Sequence, residues 1–597
     1  MDRKSIIILL ISFVLILSWS RLVQHFYPPV PVTIGTNGVA SATNQFGTNR
    51  AAATADNAPS PPATLSAATV PTFVAPKAAE VLEVLENENA RYTFSSHGGG
   101  LKLVELKANG VVKQPANSGP VTLNTQAPVP VMTLLGDEAS QGDGLFTLIK
   151  TATSVRAEKL LPNGLAVVKE FTLGTNYLLS VSVRLKNGET QPLVLKPQEW
   201  VIGTATPLGP HDDALMMGLY WYNGVKPEHI DKAWFANTTM GCAASVPRTE
   251  YEGGNTNVIW AAVHNQFFTI AVVPKETAPR VVSRRVDLPP PSTSQLGEDP
   301  KTVAKPFGFQ TAFAYPAMVL APGQQMERQF HIFAGPKEYN TLAHLGDSFG
   351  NNLDLVMDFG GFFGFFAKAL LLSMNGLHAL GLPYGLAIIA ITVIIKLVFW
   401  PLTNASTKSM KRMAALQPQM TALKEKYKDD PQKMNLKLME FMKENKVSPL
   451  GGCLPMMLQI PVFFGFFTMI KSAIELRGAQ FLWAADLSQP DTVGHLFGMA
   501  NLPINPLPLI MGVTMLWQAS VTPPSPGMDP TQQKIMKYMP LMFMVFLYNF
   551  SAGLTLYWTV QNLLTIAQMK LTKTDPPATA TGSVPVKAVS VAPKKKK

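Results

Sequence analysis

What most limits this chain is the placement of its apolar residues. They alternate or scatter up to about residue 350, then collect into long runs: Pro383 to Pro401, Gly451 to Ser472, Leu502 to Val521, Ile535 to Phe550 and Gly553 to Leu571. A membrane interior offers no water to backbone N–H and C=O groups, so segments of this length satisfy them as helices. The expected fold is an α-helical membrane bundle, one N-terminal span plus a five-span core, with a large extracytoplasmic antiparallel β-sandwich domain. Composition agrees, with 47% hydrophobic and 15% charged residues, well below the roughly 25% charged residues of soluble domains.

The rest of the chain divides by pattern. Arg3 and Lys4 precede the apolar run Ile6 to Trp19. Such a start is either a cleaved signal peptide or a retained anchor; we read 1–27 as an anchor. Residues 28–79, rich in Ala, Thr, Pro, Ser and Asn, bury too little apolar area to offset their ordering entropy and read as a flexible linker. Residues 80–357 read as β structure closed by a helix. Leu179, Val181, Val183 and Leu185 alternate with polar residues ahead of Asn187-Gly188, and Gln266 to Val273 reads as a strand buried on both faces. Asn109-Gly110 closes another run. Leu342, Leu345, Phe349, Leu353 and Val356 recur at helical spacing and predict a helix on the sheet domain. Phe359, Phe362, Phe363, Phe366 and Leu370 predict a helix lying in the membrane interface over 358–382, with a span as the alternative. The core is 383–572, and 573–597 form a basic tail. Ser551 to Gly553 read as a tight turn between the last two runs, and Pro455, Pro461, Pro506 and Pro508 free carbonyls that neighbouring helices or water must satisfy.

Net charge is +11 and it is localised: ten Lys/Arg lie between Thr403 and Leu450, one lies between Ile474 and Asn505, and four lysines end the chain. The positive-inside rule places the first loop, the tail and both termini in the cytoplasm, and the β domain outside it, in the periplasm of a cell with two membranes. Clustered lysines fit anionic lipid or ribosomal RNA, not a DNA-reading domain. Within the cytoplasmic loop, Met420, Leu423 and Tyr427, then Met434, Leu438 and Phe441, follow helical spacing around Asp429-Asp430-Pro431. This predicts a helical hairpin over 405–447 with Pro431 opening its second helix.

Lys396 stands inside Ile388 to Trp400, where a lysine costs about 2.5–3.5 kcal/mol at a span's centre. Two readings are open. Its ammonium faces a polar cavity that does work, or it snorkels past Pro401 to the cytoplasmic headgroups. The core runs hold no Asp or Glu to pair with it, which favours an aqueous cavity under the first reading. Met456, Met457, Phe463, Phe464, Phe466, Phe467, Met542 and Phe543 give the runs an adaptable apolar surface of a kind suited to varied partners, although most such residues in any membrane protein face lipid or other helices. We find no nucleophile elbow, paired-carboxylate motif or metal motif. Cys242 and Cys453 fall on opposite sides of the membrane, so no disulfide is expected, and His97-Gly98-Gly99-Gly100 reads as a turn rather than a phosphate loop. No cofactor, no metal and no enzymatic activity are expected.

Several motifs carry a resemblance: Phe399-Trp400-Pro401-Leu402-Thr403, Leu416-Gln417-Pro418, Val447-Ser448-Pro449-Leu450-Gly451-Gly452-Cys453-Leu454-Pro455, Gln459-Ile460-Pro461-Val462-Phe463, Glu475-Leu476-Arg477, Asp529-Pro530-Thr531-Gln532-Gln533-Lys534-Ile535-Met536 and Ser551-Ala552-Gly553-Leu554. With them the core resembles the YidC/Oxa/Alb family of membrane protein insertases, in the layout of its Gram-negative members. The resemblance implies a hydrophilic groove open to cytoplasm and lipid. It places Lys396 where the family usually has arginine, which keeps the charge and loses the bidentate fork. It puts substrate contacts at Thr392, Met457, Ile460, Phe463, Tyr557 and Trp558, with Gln459 in the same groove. It implies nascent membrane proteins, the Sec translocon with its accessory subunits, the ribosome and anionic lipids as partners, and an outer domain similar to a sugar-binding β-supersandwich. A small-solute transporter using Lys396 is the competing class, disfavoured by the lack of an internal repeat. An anchored envelope enzyme is the other, and it needs an acid–base pair that residues 80–335 do not display.

Overall fold

The computed structural model describes residues 71–108, 112–113, 120–207, 216–237, 246–290, 303, 305–445, 454–496, 503–522 and 530–572. The side chains of 138, 454–458, 530–534 and 536 are outside this description. The expected anchor, nearly all of the linker, the basic tail, both cysteines and Asn109-Gly110 also lie outside it. Apart from Pro71, the described residues form one compact unit.

Residues 82–336 build an antiparallel β domain. Its nine-stranded sheet runs, in spatial order, Pro227–Asp231, Gly218–Tyr222, Trp260–His264, Phe268–Pro274, Gln325–Pro336, Leu178–Asn187, Leu165–Leu173, Ser154–Leu160 and Thr147–Lys150. A five-stranded sheet runs Glu250–Gly253, Arg280–Asp287, Phe307–Tyr315, Gln198–Ala205 and Leu134–Leu135. Strand Gln198–Ala205 is buried at every position and packs on Trp260–His264 and Phe268–Pro274 of the larger sheet. Two sheets with facing apolar sides make the sandwich. The alternation read for Leu178–Asn187 holds, with Leu179, Val181, Val183 and Leu185 all buried, and Phe268–Pro274 is buried along its whole length. A four-stranded sheet, Leu82–Glu86 to Val121–Leu123, adds a third layer. Its His97-Gly100 turn places Gly98 and Gly99 at φ +73° and +56°, a conformation in which glycine costs least. Fully buried Lys169 of strand Leu165–Leu173 donates to Gly98 O at 2.6 Å and Met132 O at 2.8 Å, tying this turn to the large sheet.

The C-terminal region is helical. Helix α1 (Tyr339–Phe349) ends at Gly350 in left-handed geometry, and a short 3-10 turn, Leu353–Met357, follows. The single helix expected over Leu342 to Val356 is therefore broken: Gly350 and Asn352 both take positive φ, and the break lets Asn351 O accept from Trp260 Nε1 at 2.9 Å. Helix α2 (Gly364–Ala379) buries Ala367, Leu371 and Met374 and leaves Phe362 and Phe365, at its start, exposed. Then come α3 (Tyr384–Val398), α4 (Trp400–Ala415), α5 (Gln417–Lys426), α6 (Pro431–Glu444), α7 (Leu454–Ser472), α8 (Pro506–Val521), α9 (Pro530–Phe546) and α10 (Ala552–Leu571). The five apolar runs coincide with α3, α7, α8, α9 and α10. Among the described residues no single helix is long and apolar enough to cross a membrane; α3 and α4 pass together, bent by 66°. The turn expected at Ser551 to Gly553 lies earlier, at 547–551, because Ala552 and Gly553 already belong to α10.

Helices α5 and α6 form the expected hairpin. Asp430 caps α6, accepting from Lys433 N at 3.0 Å, with Pro431 in its first turn. Pro supplies helical φ where no N–H partner is needed, and the carboxylate satisfies an orphan donor. Met413, Met420 and Leu438 are the buried seam, with Leu423, Met434, Phe441 and Met442 against it.

Candidate functional site

The site is built on three helices, α3, α8 and α10. Helix α10 carries Thr555, Thr559, Asn562, Thr565, Gln568 and, just past its end, Thr572. Steps of three and four residues keep each neighbour in the series close to the last, and the stripe drifts around one half of the helix. Thr555, Thr559, Asn562, Gln568 and Thr572 are buried, so a polar stripe runs down the inside of an apolar helix. Leu563 and Leu571 are exposed on the outside.

Three of the hydroxyls on and facing this stripe share one polarity. Thr565 Oγ1 donates to Gln561 O at 2.7 Å, so it is left to accept from Lys396 Nζ at 3.0 Å. Thr514 Oγ1 of α8 donates to Met511 O and accepts from Asn562 Nδ2 at 3.1 Å. Thr403 Oγ1 of α4 donates to Phe399 O and accepts from Gln568 Nε2 at 2.7 Å. Each hydroxyl spends its proton within its own helix and offers lone pairs across the gap. A cation is the group such a wall suits.

Lys396 is 7% exposed and its ammonium is turned inward onto α10. A snorkelling lysine would leave it at the periphery, where Ile394, Leu397 and Val398 of the same helix are exposed. Among the described residues no carboxylate pairs with it. One hydroxyl satisfies one of three ammonium protons, so among the described residues the site is undersupplied with acceptors.

The other residues named from the sequence fall into two groups. Phe463 and Trp558 meet edge to face at 4.8 Å, and Phe543 of α9 lies 6.2 Å from Trp558. Phe467 and Phe550 extend this aromatic track. Ile460, one turn from Phe463, is exposed, and Gln459 beside it is half-buried. Thr392 and Tyr557 lie deeper. Thr392 Oγ1 donates to Ile388 O at 2.7 Å, and Tyr557 stacks on Phe466 at 4.1 Å. Met457 lies on α7, and its side chain is among those outside the description. Thr565, Asn562, Thr514 and Gln568 are site residues that the sequence does not single out. For the three on α10 the signal is the three-to-four spacing of Thr, Asn and Gln through an apolar run, which is fainter than a charge in the same place; Thr514, on α8, carries no such spacing.

At the α4 end, Lys411 Nζ donates to Met569 O at 2.7 Å and Thr572 O at 2.6 Å, and Thr572 Oγ1 bonds Asn404 Oδ1 at 2.8 Å. Carbonyls at a helix C-terminus lack helical partners and attract cations. Lys411 thus holds the base of the hairpin to the end of α10. At the opposite end the β domain grips the helices. Arg477 Nη1 donates to Lys113 O at 2.7 Å, Lys113 Nζ to Glu475 O at 3.1 Å, and Gln266 Nε2 to Lys471 O at 3.2 Å. Glu475 is buried there and accepts from Asn375 Nδ2 at 2.8 Å, and burial pushes its carboxyl pKa up.

Comparison with known proteins then places the molecule. The model of the 60Kd inner membrane protein matches residues 376–578 and that of the YidC periplasmic domain residues 83–372. The protein named membrane protein insertase YidC of Burkholderia multivorans is 32% identical over 95% of this chain and 97% of its own length. The chain belongs to the YidC/Oxa/Alb family. The YidC of Pelobacter propionicus is 46% identical over 44% of this chain, a match spanning 47% of that relative's length. A crystal structure of active YidC insertase with its first transmembrane domain resolved aligns over 84% of this chain and 94% of its own, at 18% identity and TM-score 0.32. The two family matches meet at residues 372–376, within α2, and together they cover the β domain and the helical region.

Proposed function

We propose that this chain is a membrane protein insertase and chaperone, moving nascent membrane proteins from the cytoplasm into the bacterial inner membrane. The observation that carries the reading is Lys396, buried against Thr565 on the polar stripe of α10 without a carboxylate partner, among helices whose outer faces are apolar. Relatives over nearly the whole chain bear the name membrane protein insertase. In this reading α3, α7, α8, α9 and α10 are the five core spans, the hairpin and tail face the cytoplasm, and the β domain faces the periplasm.

The mechanism follows from solvation. Stripping a buried peptide group of water without a partner costs several kcal/mol. A short polar leading segment avoids much of that cost if it enters a groove lined by hydroxyls and amides, with a positive charge that attracts acidic side chains. The following apolar segment leaves along the Phe463, Trp558 and Phe543 track, past Ile460, into lipid. Its burial supplies the driving force, at about 25 cal/mol per Å², and no nucleotide hydrolysis is required. Thr392, Gln459, Met457 and Tyr557 belong to the groove wall in this scheme. Each charge added to the leading segment raises the barrier, so short tails are favoured. The basic loop and tail engage ribosomal RNA or anionic lipid, and the chain works alone or beside the Sec translocon.

The test is insertion of a single-span substrate with a short polar tail into proteoliposomes containing only this chain. Protected substrate above the level in protein-free vesicles is expected. Equal levels would overturn independent insertase activity. Photo-crosslinkers at Thr392, Phe463 and Trp558 with stalled nascent chains test the route, and the absence of adducts at all three would remove it.

A further inference from the structure

Between α7 and α8 the chain makes a turn that its sequence does not favour. Phe481 and Ala484 exchange two backbone hydrogen bonds, N–H to O at 2.9 Å in each direction, closing a hairpin turn around Leu482 and Trp483. Leu482 sits at φ +53° and is 75% exposed. Two-residue turns of this kind call for glycine or asparagine at such a position. A leucine there is strained, and its side chain gains nothing from the rest of the protein.

The surroundings hold the turn in place. Phe481 nests against Gly385 at the start of α3, where an added Cβ would fall 2.3 Å from its ring. Trp483 Nε1 donates to Asp491 Oδ2 at 2.9 Å, and the same oxygen accepts from Leu507 N at the start of α8 at 2.6 Å. The turn is therefore bolted to two helix N-termini, with Trp483 tethered by its polar edge and partly exposed on its apolar face. Val493 and Leu496 of the same loop are exposed as well. So are Leu386, Leu509 and Ile510 near the starts of α3 and α8, and Ile394, Val513 and Trp517 further along the same helices. Arg477, five residues before Leu482, is bonded to Lys113 of the β domain, which fixes the side.

We propose that the Leu482-Trp483 turn is a lipid-binding tip, seated in the headgroup and upper acyl region of the leaflet on the β-domain side. This rests on the reading of α3 and α8 as spans. An amphipathic indole with its N–H satisfied and a neighbouring aliphatic chain is the chemistry of a bilayer interface. The tip sets the depth of the α3 and α8 N-termini, because both are bonded or packed to it.

Two measurements test this. Nitroxide labels are placed singly at Leu482 and at Val513 of α8, in the full chain with Cys242 and Cys453 replaced by Ser, in nanodiscs of phosphatidylethanolamine and phosphatidylglycerol. Both labels are expected to collide more with dissolved oxygen than with a water-soluble nickel chelate. A water-like ratio at 482 with a lipid-like ratio at 513 overturns the tip. Water-like ratios at both overturn the membrane reading beneath it. An immobilised label at 482 shielded from both reagents overturns the tip in favour of a protein partner or second copy. The second measurement is Leu482→Gly. Glycine suits φ +53°, so a purely backbone role predicts an unchanged or raised melting temperature in every medium. The lipid role predicts a lower melting temperature in nanodiscs than the parent, with none of that loss in detergent.

Discussion

At the residue scale, two buried lysines show how the same side chain is stabilised in different ways. Lys396 has one hydroxyl acceptor among the described residues. In the proposed function this charge is what attracts a passing chain. Lys396→Arg is expected to keep insertion near the parent level, Lys396→Ala to lower it several-fold, and Lys396→Glu to abolish it, measured as protected substrate in proteoliposomes. Normal growth of depleted cells carrying the Ala or Glu variant would show the charge to be dispensable. Lys169 instead is fully buried with two carbonyl partners, and burial draws its pKa down to about 7 from 10.5. A neutral amine has two N–H donors, which matches the two acceptors. Between those pH values the unfolded chain binds the proton and the folded chain does not, so the domain should gain stability as pH rises through that window. Melting curves between about pH 6 and 10 should show this rise, and Lys169→Met should flatten it.

At the scale of elements, α3, α7, α8, α9 and α10 are legible because each carries an apolar run, and the hairpin because its Met and Leu residues keep helical spacing around Pro431. The strand Leu178–Asn187 was legible from alternation alone. The break after α1 was not, since Leu353 and Val356 keep helical phase across Gly350 and only the bond from Trp260 to Asn351 O explains why the chain stops there. The charge at Lys396 was visible, whereas its acceptor, 169 residues away, was not. Local patterns encode faces, and pairing across helices depends on packing that no single stretch specifies. The stripe on α10 is the element most open to test. Thr565→Val removes the acceptor for Lys396 while preserving shape, at about 1–3 kcal/mol for the polar group left unpaired. It should lower both melting temperature and insertion, and Thr565→Ser should restore both. Asn562→Leu should leave Thr514 without its donor and lower stability without touching Lys396.

At the scale of the whole molecule, the β domain is joined to the helical region by more than the covalent chain. Arg477, Lys113, Gln266 and Glu475 tie strand loops to the end of α7 and the segment that follows it. Among the described residues Glu475 Oε2 and Asn375 Oδ1 have no hydrogen-bond partner, and a protonated carboxyl would let the first donate. Because burial raises its folded pKa, the folded chain holds a proton that the unfolded chain releases above about pH 4.5. Its stabilising contribution is complete below that value and is lost as pH rises through the raised pKa. Glu475→Gln should therefore melt higher than the parent at neutral and alkaline pH, with the difference vanishing in acid. A variant that melts lower at every pH would show that the carboxylate is needed as an anion. Arg477→Ala should raise protease cleavage between the two parts, read by limited proteolysis of the membrane-embedded chain.

The clamp at Lys411 has a practical side. Helices usually require residues beyond their end to satisfy the last carbonyls, so fusing a foreign sequence there tends to unravel the final turn. Here Met569 O and Thr572 O are satisfied by a lysine from α4, on the other side of the sequence. The end of α10 is insulated from whatever follows it. Reporter proteins and affinity tags attached after Thr572 should leave the groove undisturbed, whereas a junction placed three residues earlier would cut away a clamped carbonyl and loosen the hairpin's footing.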